Sequence, residues 1–252
     1  MEVHSVRFIY NVCLFLDMDV LLLCAGRGNR LKPITDKLPK PLIKISGKTI
    51  LERMLGRLEE ENVENIFIID GYKKELIQKT AKSKFKKLNL VFITNPFYST
   101  LNNIVSMWLA KPYLEGKEFV FINGDLVFDK DLLRLALSSK GDFWLIDTKK
   151  PLPEDSLKVR LKDGYVVDCG KKMKGGDGFT IGMGKFSKKG SRLFFMEIEK
   201  MIERGQDDFH YAAIPGLNRK HGHKHMAVPV KSAKYAEIDE LPDIKKAEEI
   251  FK

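Results

Sequence analysis

The sequence predicts an α/β protein of three layers, α/β/α, built on a central, mostly parallel mixed sheet. Two observations carry that prediction. Between residues 19 and 125, short continuous apolar runs alternate with segments whose apolar residues recur at helical spacing, the pattern of a sheet covered by helices on both faces. Beyond Asp125 the rhythm shortens to strand-like stretches joined by tight turns, so a β-rich elaboration is expected to follow the alternating half.

The elements follow in order. Val20–Leu23 is an unbroken apolar run, as expected of a strand buried on both faces. A Gly-rich turn leads through the short apolar stretch Leu42–Ile45 to Ser46-Gly47-Lys48, which opens a helix from about Thr49 to Glu61 with Ile50, Met54, Leu55 and Leu58 on one stripe. Asn65–Ile69 reads as the second strand, ended by Asp70-Gly71, and a Lys-rich helix is expected from Lys73 to Lys82. Leu90–Ile93 is the third strand, Asn95-Pro96 a break, Asn103–Lys111 a helix, and Glu118–Ile122 the fourth strand, ending at Asn123-Gly124-Asp125. In the second half, strands are expected at Phe143–Ile146, Leu157–Leu161, Tyr165–Cys169 and Phe179–Lys185, with Asp163-Gly164 as a hairpin turn. Helices at Ser191–Glu203 and Phe209–Leu217, a strand at Met226–Val230 and a closing helix at Pro242–Phe251 complete the chain.

Open parallel sheets bind ligands beyond the carboxyl ends of their strands. Gly26, Gly71 and Asp125 each lie just past such an end, so this topology should bring them to one rim.

Composition sets outer bounds. The 252 residues suffice for one large domain, with 44% hydrophobic and 31% charged residues, as in an ordinary globular enzyme. A formal charge of +10 favours anionic partners such as nucleotides and phosphorylated metabolites, and no nucleic-acid recognition motif accompanies it. Cys13, Cys24 and Cys169 are far apart, which points away from a zinc site or a disulfide framework and toward a reducing, cytoplasmic setting. No apolar run is long enough to span a membrane. Gln occurs only at Gln78 and Gln206 while Lys and Glu abound, a leaning shared by heat-adapted, thermophile proteins. Residues 1–17 hold short apolar runs behind Arg7, but Asp17 and Asp19 follow at once without a cleavage site. They are expected to be an N-terminal extension, or a start placed too early, with Met18 as natural a beginning.

The chemistry begins at Gly26-Arg27-Gly28-Asn29-Arg30. Two glycines let the backbone approach a phosphate and aim N–H groups at it, and Arg30 adds a delocalised cation; an ordinary tight turn with a solvated Arg has equal weight on these residues alone. Position 31 is Leu31 rather than the third Gly of a dinucleotide fingerprint, and Leu42 stands where a P-loop before Gly47-Lys48-Thr49 requires Gly. Lys40 lies between Pro39 and Pro41, which restrict its backbone.

Leu23-Cys24-Ala25-Gly26-Arg27-Gly28-Asn29-Arg30-Leu31-Lys32-Pro33-Ile34-Thr35, then Leu38-Pro39-Lys40-Pro41-Leu42, then Ile45-Ser46-Gly47-Lys48-Thr49-Ile50, resembles the signature of nucleotidyltransferases that activate sugar and alcohol phosphates. The chain departs from it at Cys24, usually Ala, and at Asn29, usually Thr or Ser; neither change removes a charge. The resemblance implies a Rossmann-like fold of the nucleotide-diphospho-sugar transferase type. It covers nearly everything after Met18, as a single domain over 18–252 with a nucleotide-binding half at about 18–129 and an acceptor-binding half at about 130–252.

It further implies that Asp125 and Asp239 hold Mg²⁺, with Lys40, Arg30 and Asp125 catalytic, and that Leu23, Cys24, Ala25, Gly26, Arg27, Gly28 and Arg30 bind the nucleotide. A phosphate monoester is already anionic, so direct in-line attack on the α-phosphate of a nucleoside triphosphate needs no general base. The task is to hold two repelling anions in line.

Asn95–Trp108 is similar to the cytidylyltransferase branch, in which an Asn pair precedes a helix and a Ser. Asn102 and Asn103 are therefore expected to read a cytosine edge or to cap the helix, and CTP is the expected nucleotide. For the acceptor, the stretch from Asp155 lacks the aromatic of phosphocholine enzymes, with Phe209 and Tyr211 left as scattered rings. Leu157-Lys158-Val159 and Cys169-Gly170-Lys171-Lys172 resemble enzymes of polyol phosphates, so Lys158 and Lys171 are expected at the acceptor phosphate. Myo-inositol 1-phosphate ranks first, phosphocholine second, a sugar 1-phosphate beyond them; a product so formed could feed a membrane enzyme. A non-catalytic nucleotide-sensing module is the alternative of another class. His221-Gly222-His223-Lys224-His225 suits a turn before a strand better than a ligand cage.

Overall fold

The computed structural model describes residues 18–252, so the expectations for residues 1–17 lie outside the described residues. The first half contains β1 (Asp19–Leu23), α1 (Ile34–Lys37), β2 (Lys44–Ile45), β3 (Lys48–Thr49), α2 (Ile50–Glu60), β4 (Asn65–Asp70), α3 (Lys74–Lys84), β5 (Asn89–Thr94), α4 (Asn103–Trp108), α5 (Lys111–Leu114) and β6 (Phe119–Asn123). The second contains β7 (Leu126–Phe128), α6 (Lys130–Ser138), β8 (Phe143–Asp147), β9 (Lys158–Lys162), β10 (Tyr165–Gly170), β11 (Gly178–Phe186), α7 (Lys188–Glu203), α8 (Ala213–His221), β12 (Met226–Pro229), β13 (Tyr235–Glu237) and α9 (Leu241–Ile250).

One nine-stranded sheet, in the order β5-β4-β1-β6-β11-β8-β12-β10-β9, runs through both halves. The strands β5, β4, β1 and β6 are mutually parallel, while β11 returns antiparallel to β6 and β8, and β10 and β9 pair antiparallel. The β-rich elaboration thus extends the same sheet. Chain order reverses about β1, with β4 on one side and β6 on the other, which makes the carboxyl ends of these three strands the switch point where a crevice opens.

Side-chain alternation along β1 divides the core. Val20 and Leu22 face the layer of α2, α3 and α6, and Leu21 faces the layer of α4, α7 and α8. Helix α2 begins with Thr49, whose hydroxyl accepts the Glu52 N–H at 3.1 Å while the Glu52 carboxylate takes the Thr49 N–H at 2.7 Å. Its Ile50, Leu51, Met54, Leu55 and Leu58 are fully buried, each adding about 1.5–3 kcal/mol over an exposed position. The Asp163-Gly164 turn takes φ of 52° and 79° between β9 and β10, as its hairpin reading requires.

Helix α6 and strands β7 and β13 go beyond the elements expected. Helix α6 carries a legible signal, with Asp129 capping the Leu132 N–H and Leu132, Leu133, Ala136 and Leu137 buried. Three-residue strands carry none. Among the described residues no helix is long and apolar enough to cross a membrane.

His225, just before β12, is buried between the rings of Trp144 and Phe186, at centroid distances of 5.2 and 5.3 Å. Burial pushes its pKa down from 6.5 to about 4. Below pH 6.5 the unfolded chain binds a proton that the native ring refuses, so stability falls as pH drops from about 6.5 toward about 4, by up to ~1.4 kcal/mol per pH unit. Urea unfolding across that window should show this contribution, and His225→Leu should make the slope shallower while leaving the part due to His210, which burial also holds neutral.

Candidate active site

The crevice is built from strand ends that approach closely because glycine stands there. A Cβ on Gly124 would lie 2.6 Å from the Leu23 carbonyl oxygen and 3.0 Å from the Cys24 sulfur, and one on Gly71 would lie 2.9 Å from the Ala25 oxygen. Gly124 donates its N–H to Leu23, and Tyr72 donates to Ala25. Cys24 and Ala25 are buried, with the Cys24 thiol pushed up by burial and then by Asp125 and Asp70. The Leu23 and Ala25 carbonyls are thereby engaged by neighbours, and the Cys24 N–H is donated to the Ile69 carbonyl at 2.8 Å.

The turn itself stays open. Among the described residues, the amide groups of Gly26, Arg27, Gly28 and Asn29 donate to no protein acceptor. Gly28 has φ 73°, and a Cβ there would press on the Lys40 side chain at 3.2 Å. Its carbonyl accepts the Thr35 hydroxyl at 2.9 Å, and Leu31 anchors the turn in the core. Arg27 leans aside, 3.0 Å from Asp36 and over the ring of Tyr72.

Lys40 is the centre of the site. Its Nζ donates to Asp125 Oδ2 at 2.7 Å and to Asp239 Oδ1 at 2.8 Å. Burial alone would lower the ammonium's pKa, but Asp125 and Asp239 outweigh burial and hold it above the ordinary lysine value. The two acids meet because β7 pairs antiparallel with β13, setting Leu126 opposite Glu237, while the Ile238 N–H binds the Asp125 carbonyl. Arg30 reaches the same cluster, 3.0 Å from Asp239 and 2.7 Å from Asp155. Burial raises the Asp239 carboxyl's pKa, but Lys40, Arg30 and Lys171 together bring it below the usual range.

These residues open into a cavity of about 830 Å³ shared by both halves of the sheet. Its floor holds Asn123 of β6 beside Gly182, where β11 bulges with φ 75° and a Cβ would collide with the Asn123 amide. Glu237 lines it too; burial, then Asp125 and Asp239, push its carboxyl up to about 8. Sequence reasoning missed Tyr235 and Glu237, which lie on the three-residue strand β13.

The lysines expected at the acceptor separate. Lys171 lines the cavity, its Nζ 4.6 Å from the Phe209 ring centre. Lys158 is a correction: it is buried, and its Nζ donates to the carbonyls of Glu154 at 2.7 Å and Lys171 at 3.1 Å, bracing the loops. The Asn pair also separates. Asn102 stands at the N-cap position just before α4 without a side-chain cap and binds Asp207, whereas Asn103 lines the cavity. In the histidine stretch, His223 lies 3.1 Å from Asp142 and His225 faces Trp144, so the rings do not converge.

A divalent cation of hard character fits this cluster. Asp125 Oδ1 is buried and has no protein partner, Asp239 is half exposed, and Mg²⁺ commonly takes one or two carboxylates with waters and phosphates. Among the described residues no group of three or more His, Cys, Asp and Glu forms a fuller cage.

Residues 19–142 match the family described as Nucleotidyl transferase. The chain is 38% identical over 191 residues to the bifunctional protein GlmU of Methanococcus aeolicus, covering 75% of this chain but 44% of that relative, under half its length. In structure it resembles the inositol-1-phosphate CTP transferase from T. maritima, at 20% identity and TM-score 0.78 over 92% of this chain and 97% of the other. It likewise resembles the CTP:phosphocholine cytidylyltransferase LicC of Streptococcus pneumoniae, at 24% identity and TM-score 0.78 over 94% and 100%.

The glycine contacts separate packing from binding. Gly124→Ala should cost about 1–3 kcal/mol in chemical denaturation, because its methyl meets backbone. Gly26→Ala, with nothing within 4 Å, should stay within about 0.5 kcal/mol of the parent.

Proposed function

We propose that this chain, whose residues 19–142 match the nucleotidyl transferase family, transfers a cytidylyl group from CTP to a phosphorylated alcohol, with myo-inositol 1-phosphate as the acceptor. The observation that carries this reading is the buried Lys40 ammonium, held between Asp125 and Asp239 beneath an open Gly-rich turn.

The free N–H groups of Gly26 to Asn29 receive the β- and γ-phosphates, with Arg30 beside them. Asp125 and Asp239 would hold Mg²⁺, which supplies charge neutralisation at the α-phosphate. Lys40, released from the two carboxylates, turns its ammonium to the α-phosphate and to the acceptor phosphate and keeps the two anions in line. The acceptor phosphate oxygen forms the new P–O bond, the α–β bridge breaks, and pyrophosphate leaves without a general base.

Lys171 and Lys150 shape the choice of acceptor. A second reading, phosphocholine, draws on the four rings Phe179, Phe209, Tyr211 and Tyr235 that line the cavity. Two of those rings already carry protein ammonium groups, Lys171 on Phe209 and Lys150 on Tyr235 at 3.7 Å. A quaternary ammonium would meet repulsion there, while a phosphate or polyol oxygen would meet donors. This supports the inositol phosphate.

Pyrophosphate release with CTP should be fastest with myo-inositol 1-phosphate; faster release with phosphocholine or a sugar 1-phosphate would replace the acceptor. No release with any acceptor, despite bound CTP, would favour a nucleotide-sensing module. Lys40→Met should lower turnover by roughly a hundred- to a thousandfold. The same variant should bind Mn²⁺ more tightly without nucleotide, by roughly ten- to a hundredfold, since a charged hydrogen bond worth about 1.5–3 kcal/mol no longer competes. Electron paramagnetic resonance of free Mn²⁺ measures this; unchanged affinity would remove Lys40 from the metal's carboxylates.

A further inference from the structure

The carboxamide of Asn103 is oriented by donors that leave it one choice. Its Oδ1 accepts the backbone N–H of His210 at 3.0 Å. A backbone N–H can only donate, so the oxygen of the amide is fixed on that side. The same oxygen stands 3.2 Å from His210 Nδ1, which therefore carries the ring proton. Nε2 is then the unprotonated nitrogen; it is buried and has no protein partner. The ring is held edge-on to Phe121 at 5.2 Å and 83° and fully enclosed. Burial keeps it neutral, its pKa pushed down to about 3.

The other end of the amide is free. Asn103 lines the cavity, and among the described residues its Nδ2 donates to no protein acceptor. We propose that His210 is a positioning residue that locks Asn103 as a donor-only contact, so that its amide N–H groups meet a hydrogen-bond acceptor atom of the substrate. Asp207, three residues before His210, binds the backbone N–H of Asn102 at 2.6 Å, so one segment fixes both members of the Asn pair. This rests on the reading of the cavity as a nucleotidyl-transfer site. The acceptor atom belongs either to the nucleotide, where cytosine offers O2 and N3 side by side, or to the phosphorylated alcohol.

His210→Phe keeps an aromatic ring in the apolar nest and removes the ring donor, and His210→Gln restores a donor. With Phe, KM for one substrate should rise about tenfold, the worth of one hydrogen bond, while kcat stays within about threefold. The substrate affected, CTP or the alcohol phosphate, names the source of the acceptor atom. Gln should recover most of the loss. Asn103→Asp should raise KM for that same substrate, and the double variant should add nothing further. Unchanged KM for both substrates in His210→Phe, or additive losses in the double variant, would overturn the assignment. A wild-type protein without turnover would remove the functional reading but not this test. In ¹⁵N-labelled protein the Asn103 side-chain amide pair should still shift on titration with CTP or with inositol 1-phosphate. In His210→Phe that shift should need about tenfold more of the same ligand; a titration left unaltered would refute the lock.

Discussion

A lysine ammonium seated between two carboxylates organises this molecule. Lys40 follows the first strand's turn, Asp125 ends the fourth long strand, and Asp239 lies near the far end of the chain, yet the three close within 2.8 Å. Burial disfavours an isolated ammonium here, and the acids alone would repel each other. Each piece of surrounding architecture serves that closure. Gly28 makes room for the Lys40 stem, Gly124 lets β6 end against β1, and the β7–β13 pair brings Asp239 beside Asp125. The switch point about β1 supplies the crevice into which all three project.

Much of the fold was legible because burial on both faces writes itself into sequence as unbroken apolar runs. Val20–Leu23 and Glu118–Ile122 announced β1 and β6, and the stripe of Ile50, Met54, Leu55 and Leu58 marked α2. Sheet order was not legible, because it depends on which strands meet across long separations. The return of β11 antiparallel to β6 is of that kind. The strands β7 and β13 were missed since three residues carry no period, and they are the elements that unite the acidic pair.

The site divides along the same line. Residue type and spacing left the Gly-rich turn open between a phosphate cradle and an ordinary turn, and resemblance supplied the roles of Lys40 and the two acids. Direction was invisible. Lys158 and Lys171 look equivalent in sequence, but the first is spent on two carbonyls and the second faces the cavity. Asn102 and Asn103 are adjacent and identical, yet one turns to Asp207 and the other to His210. Phe209 and Tyr211, scattered rings in the sequence, converge with Phe179 and Tyr235 once β11 and β13 are in place.

Charge balance explains why these directions matter. Lys40 and Arg30 stand among Asp125, Asp239 and Asp155, two cations against three carboxylates, so both cations are fully engaged by acids. Any cation that takes the two central acids returns Lys40 to the crevice as an uncompensated positive charge, which a phosphate can neutralise. On the proposed reading, cation and polyphosphate would therefore favour each other's binding through the lysine they displace and recruit. That coupling needs no moving domain, only a side chain with two sets of partners of equal charge. The glycine at position 28, by leaving the Lys40 stem unblocked by a Cβ of its own, keeps both sets within reach.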